Sequence, residues 1–253
     1  MPVSMLMRAT KWISPAVRLR VADLIGLPLT SRGDRVGALQ YITKAVEVAG
    51  REWPFAVWSP SSASTPSLPV ILFLHGAGER GSDGHAQTQV GLGTALHRFP
   101  QRFPAHVVMP QCPVGSQWSG PAEEAALRAL DETINASAAD ERRVYVTGVS
   151  MGGHGALRLA TRHKSRFAAV VAVCGWANTY DVVRGLTHVP LWLFHGADDP
   201  VVPARCSADL ASALASAGAR HVRHTEYPGI EHECWDLVFA EPQLPEWLFA
   251  QSL

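Results

Sequence analysis

The sequence predicts an α/β domain, with a mostly parallel sheet lying between two layers of helices. Three observations lead there. Strand-like and helix-like segments alternate over most of the chain. Two of the strands, Pro69 to Leu74 and Phe167 to Cys174, are apolar at nearly every position, as strands covered on both faces are. Glycine-rich and polar clusters follow the strands directly, at the carboxyl ends where open α/β sheets carry their functional loops.

Taken in order, Thr43 to Val48 and Glu52 to Ser59 are two strand-like runs joined by Ala49-Gly50-Arg51, which predicts a hairpin. Residues 60–68, rich in Ser and Pro, predict a surface loop. The buried strand Pro69 to Leu74 leads into His75-Gly76-Ala77-Gly78-Glu79-Arg80-Gly81. Ala105 to Met109 is a further strand, followed by Pro110-Gln111-Cys112-Pro113 and an irregular loop with Trp118. A helix is expected to start at Gly120-Pro121, with proline at its first position, acids in its first turn, and Leu127, Leu130 and Ile134 inward. Arg143 to Thr147 is a β-branched strand, and a helix begins at Met151. Then come the strand Phe167 to Cys174, the strand Pro190 to Phe194, a helix over Ser207 to Ala217 stopped by Gly218, and a last strand His221 to Tyr227. Glu233 to Ala240 and Pro245 to Ala250 predict terminal helices.

Length and composition fit one large domain. The chain has 253 residues, 47% of them hydrophobic and 17% charged, enough for a substantial core. The formal net charge is zero, which gives no indication of nucleic acid as a partner. No apolar run approaches the length of a membrane span. The four cysteines are far apart and form no C-x-x-C pair, so neither a zinc knuckle nor a thioredoxin-type motif is encoded. Residues 1–40 form an N-terminal extension, expected to be helical, ahead of a single domain over residues 41–253. Arg8, Lys11, Arg18 and Arg20 precede its first acid, Asp23. That pattern leaves organellar targeting or peripheral membrane contact open beside the expected cytoplasmic location. Oligomeric state is left open.

The chemistry centres on Gly148-Val149-Ser150-Met151-Gly152. This G-x-S-x-G pattern has a strand before it and a helix after it, the setting of a nucleophile elbow. A serine hydroxyl needs a base to take its proton, and the base needs an acid to orient it. His232, directly after the last strand, is the expected base. His154 is its nearest rival, one helical turn beyond Ser150. Asp198 and Asp199, after the strand ending at His195-Gly196, are the candidate acids, and only one is expected to reach the histidine. The glycine-rich loop after Leu74 fits no phosphate-binding spacing but fits an oxyanion loop. The N–H groups of Ala77 and Met151 are its expected donors. Trp118, Trp176 and Trp235 lie in loops at this end of the sheet. They are expected either to wall an acyl or aromatic pocket or to anchor their loops, the latter favoured for Trp235. Glu79 and Arg80 are expected to form an internal ion pair of this loop rather than to contact substrate directly. No metal site is expected, because His221 and His224 lack further ligands at metal spacing.

Together these segments resemble the α/β-hydrolase superfamily. They are Leu-His-Gly-Ala-Gly-Glu-Arg-Gly (74–81), Pro-Gln-Cys-Pro (110–113) with Trp118, Gly-Val-Ser-Met-Gly-Gly (148–153), His-Gly-Ala-Asp-Asp-Pro-Val-Val-Pro (195–203) and His232-x-x-Trp235-Asp236. Within the superfamily they are similar to phospholipase/carboxylesterase and dienelactone-hydrolase-like serine esterases, including prolyl-oligopeptidase-type and polyhydroxybutyrate-depolymerase-like members. The resemblance begins near residue 42. It implies the α/β-hydrolase fold without a large cap domain, since only Gly175 to Val189 separates two of the strands. It implies Ser150 as nucleophile, Asp199 as acid through the pattern H-G-x-x-D, His232 as base, and Ala77 and Met151 at the oxyanion positions. It implies a carboxylesterase acting on a small-molecule ester without a cofactor. A peptidase or thioesterase would use the same residues, and a non-catalytic binding protein on this fold is the alternative of another class. Dienelactone hydrolases proper have cysteine where this chain has Ser150.

Overall fold

The computed structural model describes residues 41–60 and 67–253. The expected N-terminal helix, its basic residues and most of the loop at 60–68 lie outside the described residues. Eight strands form one sheet: β1 (Ile42–Val48), β2 (Arg51–Trp58), β3 (Val70–Leu74), β4 (His106–Pro110), β5 (Val144–Val149), β6 (Ala169–Val173), β7 (Leu191–Gly196) and β8 (Val222–Tyr227). Their spatial order is β1-β2-β4-β3-β5-β6-β7-β8. The β1–β2 and β2–β4 pairs are antiparallel, and the remaining pairs are parallel.

The strand patterns follow from position in that order. β3 to β7 are buried at every residue, and they are the apolar runs of the sequence. β1 and β8 are edge strands and mix exposed with covered residues. The β1–β2 hairpin turns at Ala49 and Gly50, both with positive φ (52° and 71°), a pair of angles whose twist suits a two-residue hairpin.

Among the described residues seven α-helices cover the sheet: α1 (Leu92–Arg98), α2 (Pro121–Ser137), α3 (Met151–Arg162), α4 (Thr179–Leu186), α5 (Arg205–Ser216), α6 (Trp235–Ala240) and α7 (Gln243–Phe249). Side-chain alternation along β3 divides the core into two faces. Val70, Leu72 and Leu74 pack under α2, α3, α4 and α5. Ile71 and Phe73 pack with Leu92 and Leu96 of α1, Phe239 of α6 and Leu248 of α7. Each such fully covered side chain contributes about 1.5–3 kcal/mol of burial.

Two helices were not expected from the sequence. α1 is seven residues long and has no side-chain N-cap, so it carries little local signal. α4 does carry one, because the Asn178 side chain accepts from the Asp181 N–H at 3.2 Å. It lies within the segment between β6 and β7, so no cap domain is inserted there. In α2, Leu127 is only partly covered. Ala122, Ala125, Ala126 and Ala129 join Leu130 and Ile134 on the buried face, so small side chains line its contact with the core. No helix among the described residues is long and apolar enough to cross a membrane.

Candidate active site

The elbow lies between β5 and α3. Ser150 has φ 54° and ψ −116°, a conformation that costs a non-glycine residue on the order of 1–3 kcal/mol. The surrounding contacts hold it there. The Ser150 N–H donates to Val173 O at 2.8 Å, tying the turn to β6, and the Ser150 carbonyl accepts the His154 N–H at 3.0 Å. A Cβ on Gly152 would overlap the Leu74 carbonyl oxygen, so the helix start can approach β3 this closely only with glycine.

Three residues from three loops meet at this turn. Ser150 Oγ lies 2.9 Å from His232 Nε2, and His232 Nδ1 lies 2.6 Å from Asp199 Oδ2. The protonation pattern follows from the partners: a carboxylate only accepts, so Nδ1 carries the proton and Nε2 is free to accept from the serine hydroxyl. Asp199 is a buried residue, and its Oδ1 accepts the N–H groups of Val201 and Val202, each at 2.8 Å. Asp198 is exposed. The tight turn after β7 thus directs one of two neighbouring acids inward.

The other histidines are engaged elsewhere. His154 Nδ1 donates to Trp176 O at 2.8 Å. His75 is wholly buried. Its Nδ1 donates to Gly76 O at 2.6 Å and its Nε2 accepts the Cys112 N–H at 2.9 Å, so the ring is neutral. Burial lowers its pKa to about 4, and the nearby Arg80 charge acts in the same direction. His195 adds a partner to Asp199 that its place before a glycine did not suggest. Its Nε2 donates to Val202 O at 2.9 Å and lies 3.2 Å from Asp199 Oδ2, while Nδ1 accepts from Ser207 Oγ at 2.7 Å.

Cys174 and Cys234 stand behind the histidine. The Cys174 thiol donates to His232 O at 3.0 Å, and the two sulfurs are 3.1 Å apart. Cys174, His195 and Asp199 also bring one potential metal-ligand atom each to within 4.8 Å of one another. Both Asp199 oxygens and the His195 Nε2 proton are already committed to hydrogen bonds, so this trio supports the acid.

The loop after β3 faces the elbow. Ala77 is exposed there, and Met151 is the first residue of α3. Among the described residues neither N–H donates to a backbone carbonyl. Ala77 follows Gly76, where an added Cβ would lie 3.7 Å from Ser150 Cβ, and Met151 opens α3; N–H groups of this kind are suited to a developing negative charge. Trp118 does not wall a cleft. It is only 1% exposed, its indole N–H donates to His75 O at 3.0 Å, and its ring packs edge-on to His75. Trp176 is partly exposed and stacks on His154 with centroids 4.8 Å apart. Trp235 meets the His232 ring edge-on at 5.7 Å. The expected Glu79–Arg80 pair does not form. Glu79 lies 3.9 Å from His75 Nδ1, and Arg80 Nη2 points to Met151 Sδ at 2.9 Å. Burial raises the Glu79 pKa.

The chain is similar to proteins described as esterases. Residues 123–241 match the family model described as Phospholipase/Carboxylesterase, a stretch that holds Ser150, Asp199 and His232. A putative esterase, NocK, of Nocardia uniformis subsp. tsuyamanensis is 31% identical over 63% of this chain. The chain spans 49% of that protein's length. The esterase YjfP of Escherichia coli (strain K12) is 26% identical over 74% of this chain and 92% of its own length. A solved structure of a thermostable esterase superposes with a TM-score of 0.76 at 31% identity, covering 84% of this chain and 63% of its own. Since sheet order, elbow geometry and sequence likeness point the same way, the chain has the α/β-hydrolase fold and is similar to esterases built on it.

Proposed function

We propose that the protein is a serine esterase that hydrolyses small to medium carboxylic esters through an acyl-enzyme, with residues 41–253 as its catalytic unit. The observation that carries this reading is the unbroken series Ser150 Oγ, His232, Asp199, with contacts of 2.9 and 2.6 Å. His232 Nε2 takes the Ser150 proton as Oγ attacks the ester carbonyl. The N–H groups of Ala77 and Met151 receive the oxyanion, and each such donor is worth about 2.7–4 kcal/mol of barrier. His232 then protonates the departing alcohol, and water repeats the sequence on the acyl-serine. Asp199 keeps the imidazole in the required tautomer and stabilises its cation. NocK, YjfP and the thermostable esterase are each named as esterases, which favours an ester, while acylaminoacyl peptidases at 14% identity share the fold.

The test is hydrolysis of 4-nitrophenyl esters of graded acyl length by the wild type and by Ser150→Ala, together with labelling by a fluorophosphonate. The wild type should cleave and label, and Ser150→Ala should lose about 10⁶-fold in kcat and all labelling. A wild type inert to every ester and to the probe would defeat the reading.

A further inference from the structure

Arg80 is under-satisfied for a residue beside a candidate nucleophile. A guanidinium offers five N–H donors. Here one terminal nitrogen meets only a thioether sulfur, Met151 Sδ, at 2.9 Å. Its Nε is buried and has no hydrogen-bond partner. Among the described residues no carboxylate forms an ion pair with it. The nearest acid in sequence, Glu79, turns back toward Gly76 and His75: a Cβ built on Gly76 would sit 3.2 Å from Glu79 Oε2 and 3.7 Å from Ser150 Cβ. Arg80 is partly exposed, so its charge is reachable from solvent, while its buried Nε leaves a donor that an anion could meet.

Its position says where that anion would lie. Met151 follows Ser150 directly, and its backbone N–H is one of the two oxyanion donors proposed above. The chain around Arg80 is held by bonds at both ends of the loop. His75 Nε2 accepts the Cys112 N–H, and the Gly81 N–H donates to Cys112 O at 3.0 Å. Trp118 braces the loop from below through His75 O. The guanidinium is therefore held by a braced loop against the side chain of Met151, the residue after Ser150, with the Glu79 carboxylate beside Gly76 and His75.

We infer that Arg80 is a specificity-determining residue that receives a carboxylate of the substrate, so that the preferred esters carry a free acid a few bonds from the scissile carbonyl. This rests on the esterase reading of the same site. Arginine suits the task because its planar fork can donate two parallel hydrogen bonds to a carboxylate. The reaction remains ordinary ester hydrolysis: the second carboxylate is bound and takes no part in bond making.

The experiment compares matched esters. Monoethyl adipate against ethyl hexanoate places the anion on the acyl side, and 4-acetoxybenzoate against 4-acetoxybenzamide places it on the alcohol side. The readout is the anionic-to-neutral ratio of kcat/KM for the wild type, Arg80→Gln and Arg80→Lys. In at least one pair the wild-type ratio should be about 10 or more. It should fall about 10- to 100-fold in Arg80→Gln and less in Arg80→Lys, as expected for loss of a charge-assisted contact. No wild-type preference in either pair, or both members of a pair falling together in Arg80→Gln, overturns the inference. The second result would mark Arg80 as a structural or general electrostatic residue. If the wild type is inert to every ester, the esterase reading fails separately, and binding decides. Calorimetric titration of Ser150→Ala with monoethyl adipate should then show binding that Arg80→Gln abolishes in the same background. Absence of binding, or binding indifferent to Arg80, also overturns the inference.

Discussion

Asp199 Oδ2 lies 2.6 Å from His232 Nδ1, while the opposite oxygen accepts the N–H groups of Val201 and Val202 at 2.8 Å each. One carboxylate thus needs acceptor capacity on both sides. In Asp199→Asn the amide has a single acceptor. If its oxygen stays with the two backbone amides, its NH₂ faces Nδ1 and forces the proton of His232 onto Nε2, where it cannot accept from Ser150. The expected result is a fall in kcat of about 10⁴-fold with the fold retained, read by 4-nitrophenyl ester kinetics beside a thermal melt. Activity within a few-fold of wild type would show that His232 does not depend on this acid.

The His232 loop rests directly on the end of β7. A Cβ on Gly196 would overlap the carbonyl oxygens of Ile230 and Glu231, so Gly196→Ala must displace the segment leading into His232. Displacements of about 1 Å cost on the order of 100-fold in rate, and overpacking costs about 1–3 kcal/mol. Steady-state kinetics and urea denaturation of the variant should therefore show a rate loss on the order of 100-fold beside a stability loss of about 1–3 kcal/mol. An unchanged kcat/KM would mean the loop relaxes without moving the histidine.

His75 makes a stability prediction with a defined sign. Its pKa is lowered from 6.5 to about 4 by burial, so below pH 6.5 the unfolded chain takes up a proton that the folded chain refuses. The stability linked to this group is whole above pH 6.5 and is lost as pH falls toward 4. The loss amounts to roughly 3 kcal/mol at 1.36 kcal/mol per pKa unit. Urea denaturation across this window should give a shallower pH dependence for His75→Asn than for wild type. Parallel curves would reject the assignment.

The thiols should fall into two classes. Cys112, Cys174 and Cys234 are buried, whereas Cys206 is partly exposed. Burial pushes the Cys112 thiol up to about 11. The Cys234 thiol is raised well beyond the usual range, first by its hydrogen bond with Cys174 and then by burial. The thiolate is the reactive form, so titration of the native protein with a chromogenic disulfide should consume Cys206 first. The other three should react only on denaturation, and rapid native reaction of Cys174 or Cys234 would mean that the histidine loop opens readily.

How much of this was visible in the sequence depends on how far apart in the chain the deciding contacts lie. β3 to β7 were visible because burial on both faces imposes a continuous apolar run. The elbow was visible because strand, glycine, serine, glycine and helix are consecutive residues. α1 was not, being short and uncapped. The α2 buried face was assigned from its leucines although alanines contribute much of it, since alanine gives little contrast in an apolar pattern.

The sequence by itself determined the sheet, the turn that displays Ser150, and the chain order of the loops that carry Asp199 and His232. These depend on neighbouring residues, whose backbone preferences and alternation are local. Tertiary structure decided which partner each side chain meets. It buried Trp118 beneath the loop after β3, brought His195 onto Asp199, set Cys174 against Cys234, and separated Glu79 from Arg80, leaving a guanidinium beside the elbow without a counter-ion among the described residues. Those outcomes depend on how loops from different strands converge at one end of the sheet, and adjacency in sequence carries no record of that convergence.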